Sequence, residues 1–154
     1  MKDQKRIKAE EIMATPVISV RHDTNLHDAE ELLKKKKITG MPVVDENDEI
    51  VGIISEKHLL SLYDIRAEEE DITDLSFRLP YEYKTWVEEI MTKKVISVTE
   101  DTPIEEICRL MVENHIHRVP VLRGKKVVGV ISTLSLVGYL LRLLEDEDES
   151  GDKD

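Results

Sequence analysis

Glu11-Ile-Met-Ala-Thr-Pro-Val-Ile-Ser-Val20 returns, lightly edited, as Glu89-Ile-Met-Thr-Lys-Lys-Val-Ile-Ser-Val98. Met13 reappears as Met91, 78 residues later. At the same spacing Asp23-Thr24 meets Asp101-Thr102, Ile38 meets Ile116, and Pro42-Val43 meets Pro120-Val121. One residue is lost in the next turn, after which Val51-Gly-Ile-Ile-Ser55 meets Val128-Gly-Val-Ile-Ser132. A repeat of this length sets the architecture before any residue is given a role. It implies two similar units about a pseudo-two-fold axis, with an equivalent cleft on each side.

Outward from the repeat, each half reads helix, strand, helix, strand, strand, helix. Lys8 to Met13 predicts a short helix, ended by Pro16, which pushes its predecessor out of the α region. Val17 to Val20 is a short apolar run, read as a buried strand. Asn25 to Lys37 predicts a helix with Leu26, Ala29, Leu32 and Leu33 on one face. Its closing lysines, Lys34 to Lys37, suit a helix C-terminus. Met41 to Val44 and Ile50 to Ile54 read as strands, and Ser55 as the cap of a helix running to Tyr63. In the second half, Thr102-Pro103-Ile104-Glu105 reads as a capping box with proline at the first helical position. A helix to Asn114, strands at Val119–Leu122 and Val127–Ile131, and a leucine-rich helix from Ser132 follow. That last helix is apolar on more than one face, which predicts a second subunit against it.

The divisions expected are residues 1–63 for the first repeat, 64–86 for a connector, 87–145 for the second repeat, and 146–154 for a disordered acidic tail. The connector holds Phe77, Tyr81, Tyr83 and Trp86, so it is expected to pack rather than to serve as an unstructured linker. The fold class is α/β (α+β): two pseudo-symmetric units, each a small sheet flanked by helices, packed through their sheets.

Bulk properties narrow the function. The chain has 154 residues, 33 of them acidic and 22 basic, for a net charge of −11. Phosphate-backbone binding needs a basic footprint, so nucleic acid is not the expected partner. Neither a signal-like segment nor a long apolar span is present, so no membrane association is expected, and the protein reads as cytoplasmic. Its single cysteine excludes an intramolecular disulfide and fits a reducing compartment. Cys108 shares an apolar helical face with Ile104, Ile107 and Met111, where a buried thiol is expected. His115 and His117 lack the spacing of a metal site, so no metal is expected. His22, His27 and Asp28 read as capping and solvent-facing side chains at a helix start. No nucleophile–base pair, glycine-rich phosphate loop or carboxylate dyad stands out, so no enzyme activity is expected.

The paired motifs resemble a tandem pair of CBS domains, named for cystathionine β-synthase. The resemblance rests on Glu-Ile-Met before a Val-x-x-Val strand, on Ile-x-x-x-Pro-Val, and on Val-Gly-hydrophobic-Ile-Ser ahead of the last helix. It covers nearly all of the chain outside the connector and tails. It implies two αβ units with clefts between them that take adenine nucleotides or adenosyl ligands and regulate something else, usually as dimers. Candidate ligands are AMP, ADP, ATP and S-adenosylmethionine; no cofactor is implied. Carried over to this chain, the first cleft is Thr15, Pro16 and Val17, then Ile38, Thr39, Gly40 and Pro42, with Ser55 and His58 at the helix start. The second is Lys93, Lys94, Val95 and Ile96, then Ile116, His117, Arg118, Val119 and Pro120, with Ser132 and Ser135.

The second cleft has the stronger anion chemistry. Arg118 can hold a phosphate bidentately, and His117, Lys93 and Lys94 stand near it. Thr39 and Gly40 occupy the matching places in the first repeat. The family's helix start reads Ser/Thr-x-x-Asp, with the aspartate accepting from ribose hydroxyls. Here that place is His58 or Ser135. A hydrogen bond to a charged group is worth about 1.5–3 kcal/mol, so the substitution weakens ribose binding. Two readings follow: a module that senses an adenine nucleotide or adenosyl ligand and signals in trans to a protein target through homodimer geometry, or an interaction module whose clefts bind no nucleotide.

Overall fold

In a computed structural model the chain is described over residues 6–60 and 85–151. The elements in order are α1 (Ala9–Ile12), β1 (Val20–Arg21), α2 (Leu26–Lys36), β2 (Gly40–Val44), β3 (Ile50–Ser55), α3 (residues 56–60), α4 (Val87–Ile90), β4 (Val98–Thr99), α5 (Ile104–Asn114), β5 (Arg118–Arg123), β6 (Lys126–Ser132) and α6 (Thr133–Gly151). Apart from Thr85 and Trp86, the connector lies outside the described residues, as does the end of the helix expected to reach Tyr63.

The chain forms two three-stranded sheets of the same topology, β1-β2-β3 and β4-β5-β6. In each, the first strand runs parallel and the third antiparallel to the middle one. A register shift falls between Val43 and Val44 in one sheet and between Val121 and Leu122 in the other. The strand expected at Val17–Val20 is only Val20–Arg21, paired with Val43 and Val44. The cause is Pro42, which has no N–H to continue the ladder. Pro120 limits β4 in the same way, to Val98 and Thr99.

The compact units do not follow the sequence repeats. One, the mid-chain unit, is Ile18–Val95; the other, the terminal unit, joins the residues up to Val17 to those from Ile96 onward. The lead-in to each repeat is therefore built into the other repeat's sheet. In the terminal unit, Ala9 N donates to Thr102 O (2.9 Å), Glu10 N to Glu100 O (3.0 Å), and Ala14 N to Val130 O (2.8 Å). The mid-chain unit repeats the pattern: Val87 N to Thr24 O (2.8 Å), Glu88 N to His22 O (3.1 Å), and Thr92 N to Ile53 O (2.9 Å). Ala9 and Val87, equivalent in the repeat, are each fully buried in the host core. Burying a valine side chain contributes about 1.5–3 kcal/mol, so Val87 anchors its segment.

Each unit has its own core. Leu26, Ala29, Leu33, Met41, Val43, Ile54 and Val87 fill the mid-chain unit. Ala9, Ile107, Met111, Val119, Val121 and Ile131 fill the terminal unit. Asn25 caps α2 by accepting from Asp28 N at 2.9 Å. The capping box expected at Thr102 is not formed; Pro103 is the N-cap of α5, and Thr102 Oγ1 accepts from Thr99 N at 3.0 Å. α6 continues to Gly151, so the stretch expected as a disordered tail is helical up to that point. Glutamate favours helix, and extending a formed helix is cheap beside nucleating one.

Candidate functional site

The lead-in segments decide which candidates meet. Because Ala14 pairs with Val130, Thr15, Pro16 and Val17 follow directly from the sheet that carries Ile116 to Pro120 and Ser132. Because Thr92 pairs with Ile53, Lys93, Lys94 and Val95 follow from the sheet that carries Ile38 to Pro42 and Ser55. The two groups drawn from sequence order are thus re-partnered; of the stretch Lys93 to Ile96, only Ile96 falls in the terminal unit.

In the terminal unit Arg118 stands opposite Ser132 across the β5–β6 ladder. His117, exposed, precedes it, and its carbonyl accepts from Thr133 N at 2.9 Å, tying the start of α6 to the start of β5. Val119 turns into the core, and Pro120 beside it is also fully buried, so the strand is held on both faces. Ser132 and Ser135 cap one another: Ser132 N donates to Ser135 Oγ (3.1 Å) and Ser135 N to Ser132 Oγ (3.2 Å). A hydroxyl thus fills the capping role a carboxylate would have, and keeps both donor and acceptor capacity. Thr15 and Pro16, joined by a cis peptide, are exposed beside this sheet's lead-in.

The mid-chain unit builds the same frame with different chemistry. Gly40 stands opposite Ser55, and Glu56 N donates to Thr39 O at 2.9 Å. Ser55 N donates to His58 Nδ1 at 3.0 Å. Nδ1 must then hold a lone pair, so the ring hydrogen sits on Nε2, which donates to Thr92 Oγ1 at 2.8 Å. His58 therefore offers a donor where Ser135 offers either role. Thr92 was not among the sequence candidates. The repeat held the signal, since Thr92 matches Ala14, whose strand pairing is equivalent.

Two other readings are refined. His22 neither caps nor simply faces solvent: Glu88 and Glu46 bind its two ring nitrogens. Cys108, expected to be buried, is only partly so; that partial burial pushes its thiol above the ordinary value, with Glu105 adding to it. An open groove of about 650 Å³, lined by residues including Arg6, Glu106 and Arg109, runs along α5 and contains none of the candidate residues.

Comparison with known proteins follows the same line. A sequence model of the CBS domain matches residues 9–64 and again 87–142. The chain is 30% identical over 146 residues to the CBS domain-containing protein CBSX2, chloroplastic, of Arabidopsis thaliana, covering 85% of this chain and 61% of that one. It thus spans less than two thirds of that relative's length. The crystal structure of CBSX2 in complex with AMP aligns with a TM-score of 0.72 at 29% identity, covering 88% of this chain and 97% of the other. The CBS domain pair of protein MJ0100, in complex with 5′-methylthioadenosine and S-adenosyl-L-methionine, aligns with a TM-score of 0.74 at 25% identity, covering 93% and 99%. Two family matches and two sheets of one topology agree: the chain belongs to the CBS domain family and carries two CBS repeats in tandem.

Proposed function

We propose that this protein is a regulatory module that binds an adenine nucleotide or adenosyl ligand, chiefly in its terminal unit, and signals in trans to a protein target. The observation that carries the reading is Arg118 held opposite Ser132, with His117 before it and the Ser132–Ser135 pair after it. A guanidinium suits a phosphate, and a hydroxyl pair suits a ribose edge. AMP in CBSX2 and the adenosyl ligands in MJ0100 support the ligand class. Lys93 and Lys94, with Thr39, Gly40, Ser55 and His58, form the second candidate position, in the mid-chain unit. No catalytic role is assigned to any of these groups. Titration calorimetry with AMP, ADP, ATP and S-adenosylmethionine tests the reading. Saturable binding of one that weakens in Arg118→Ala supports it; binding unchanged in that variant refutes the assigned phosphate role.

One observation favours a second reading, an interaction module without a nucleotide. The apolar side chains of α6 are exposed: Leu134 is 79% accessible, and Val137, Leu140, Leu141 and Leu144 are all more than half exposed. In this second reading the face is itself the output, a homodimer contact made without any ligand. Among the described residues no helix is long and apolar enough to cross a membrane. Melting that ignores all four ligands at high concentration, together with a stable dimer in sedimentation, would favour the second reading.

A further inference from the structure

Both ring nitrogens of His22 face carboxylates. Nδ1 meets Glu88 Oε2, and Nε2 meets Glu46 Oε1 at 2.8 Å. An ionised carboxylate can only accept. Both contacts are hydrogen bonds only if both nitrogens carry a proton, that is, if His22 is imidazolium. A neutral ring would turn one bare lone pair toward a carboxylate oxygen. The three residues come from three places: His22 just after β1, Glu46 in the β2–β3 turn, and Glu88 on α4. The backbone joins the same elements, since His22 N donates to Val44 O (3.0 Å) and Glu88 N to His22 O (3.1 Å).

The terminal unit supplies an internal control. Glu100 stands where His22 stands, and Glu10 N donates to Glu100 O just as Glu88 N donates to His22 O. The cation here is permanent: Arg123 reaches both Glu100 oxygens, Nε to Oε1 at 2.8 Å and a terminal nitrogen to Oε2 at 2.9 Å. Arginine stays charged throughout the physiological range. One unit thus uses a fixed ion pair where the other uses a titrating one.

We propose that His22, Glu46 and Glu88 form a proton-operated clasp that holds the Trp86–Val95 segment on the mid-chain unit and opens when His22 loses its proton. Among the described residues the other charged groups beside it are its chain neighbours, Arg21 at the end of β1 and Asp23 just after it. Arg21 lies 4.0 Å from Glu46 and 2.9 Å from Asp23, so it shares Glu46 with the ring. Glu88 first, then Glu46, hold the His22 pKa above its ordinary value. A raised folded-state pKa gives stabilisation that is complete below about pH 6.5, the unfolded value, and is lost as pH rises through the folded value. The clasped segment also carries Thr92, the partner of His58. The clasp does not depend on any ligand being bound, so its test is independent of the nucleotide reading.

The test is hydrogen exchange of the intact, ligand-free protein between pH 5.5 and 8.5, corrected for intrinsic rates, with His22 followed by NMR. Amides of residues 87–92 are expected to lose protection severalfold as His22 titrates, while those of residues 9–14 hold theirs. His22→Gln is expected to flatten the response at the high-pH level, and Glu88→Gln to move the midpoint down. The proposal is overturned if His22 titrates at or below the ordinary imidazole value. Protection of 87–92 that ignores pH, or that falls in parallel with 9–14, overturns it equally.

Discussion

The thioether of Met13 lies over Gly129, so close that a Cβ there would sit 2.3 Å from Sδ. Met91 lies over Gly52 in the same way, at 2.5 Å. Each methionine caps the C-terminus of its lead-in helix, and each glycine belongs to the strand that receives the segment. The Val-Gly motif is thus a docking requirement, since any side chain would push the segment off its sheet. Gly129→Ala is expected to destabilise the protein by about 1–3 kcal/mol, the usual cost of overpacking. Urea denaturation reads the loss. The double variant Met13→Ala/Gly129→Ala should recover part of it, giving a coupling energy that a loss of backbone freedom alone would not produce.

Restoring the missing carboxylate separates the two functional readings. Ser135→Asp keeps a side-chain acceptor for Ser132 N and adds a charged acceptor for a ribose hydroxyl. Under the sensor reading, AMP affinity in calorimetry should rise by roughly tenfold, the scale of a charged hydrogen bond. His58→Asp should act likewise on the mid-chain position, with the loss of the His58–Thr92 hydrogen bond. No gain in either variant would weigh against ribose contact at these helix starts.

Acid should act on the terminal unit through Glu100 and Asp101. Hydrogen bonds from Arg123 hold the Glu100 carboxyl below its ordinary range, and the Thr99 hydroxyl does so for Asp101. A depressed folded pKa gives stabilisation present above the unfolded value, near 4 for these acids, and lost as pH falls through the folded value. Arg123→Gln is therefore expected to lower stability at neutral pH and to flatten its decline below about pH 4.5. Thermal melts across pH 3 to 7 check both limbs; an unchanged acid limb would refute the assignment.

Helix α2 ends on Lys37 in the left-handed region, at φ 54° and ψ 44°. A side chain there costs about 1 kcal/mol that glycine avoids. Lys37→Gly should therefore raise the melting temperature, whereas Lys37→Ala should not. His115 closes α5 with nearly the same angles, and His115→Gly should behave alike.

The repeat made the order of elements along the chain and the family legible before any coordinates. It could not show which sheet takes Thr15 or Lys93, because the spacing of the two copies is the same whether each lead-in stays with its own repeat or crosses over. That choice is made by the fit of Met13 on Gly129 and Met91 on Gly52, and by the burial of Ala9 and Val87. His22 read as a solvent-facing group because its carboxylates lie 24 and 66 residues away, beyond any local pattern. The run from Glu145 read as a tail because charge weighed more than helix continuity.

The crossing of the lead-ins has a consequence for fragments. A chain broken between the repeats would leave one piece with the partner of Val130 and the other with the partner of Ile53. Each fragment would expose a strand edge and an empty core position that only the other can fill. Neither should fold alone, yet mixed they should reassemble, as obligate complements rather than as two separable modules.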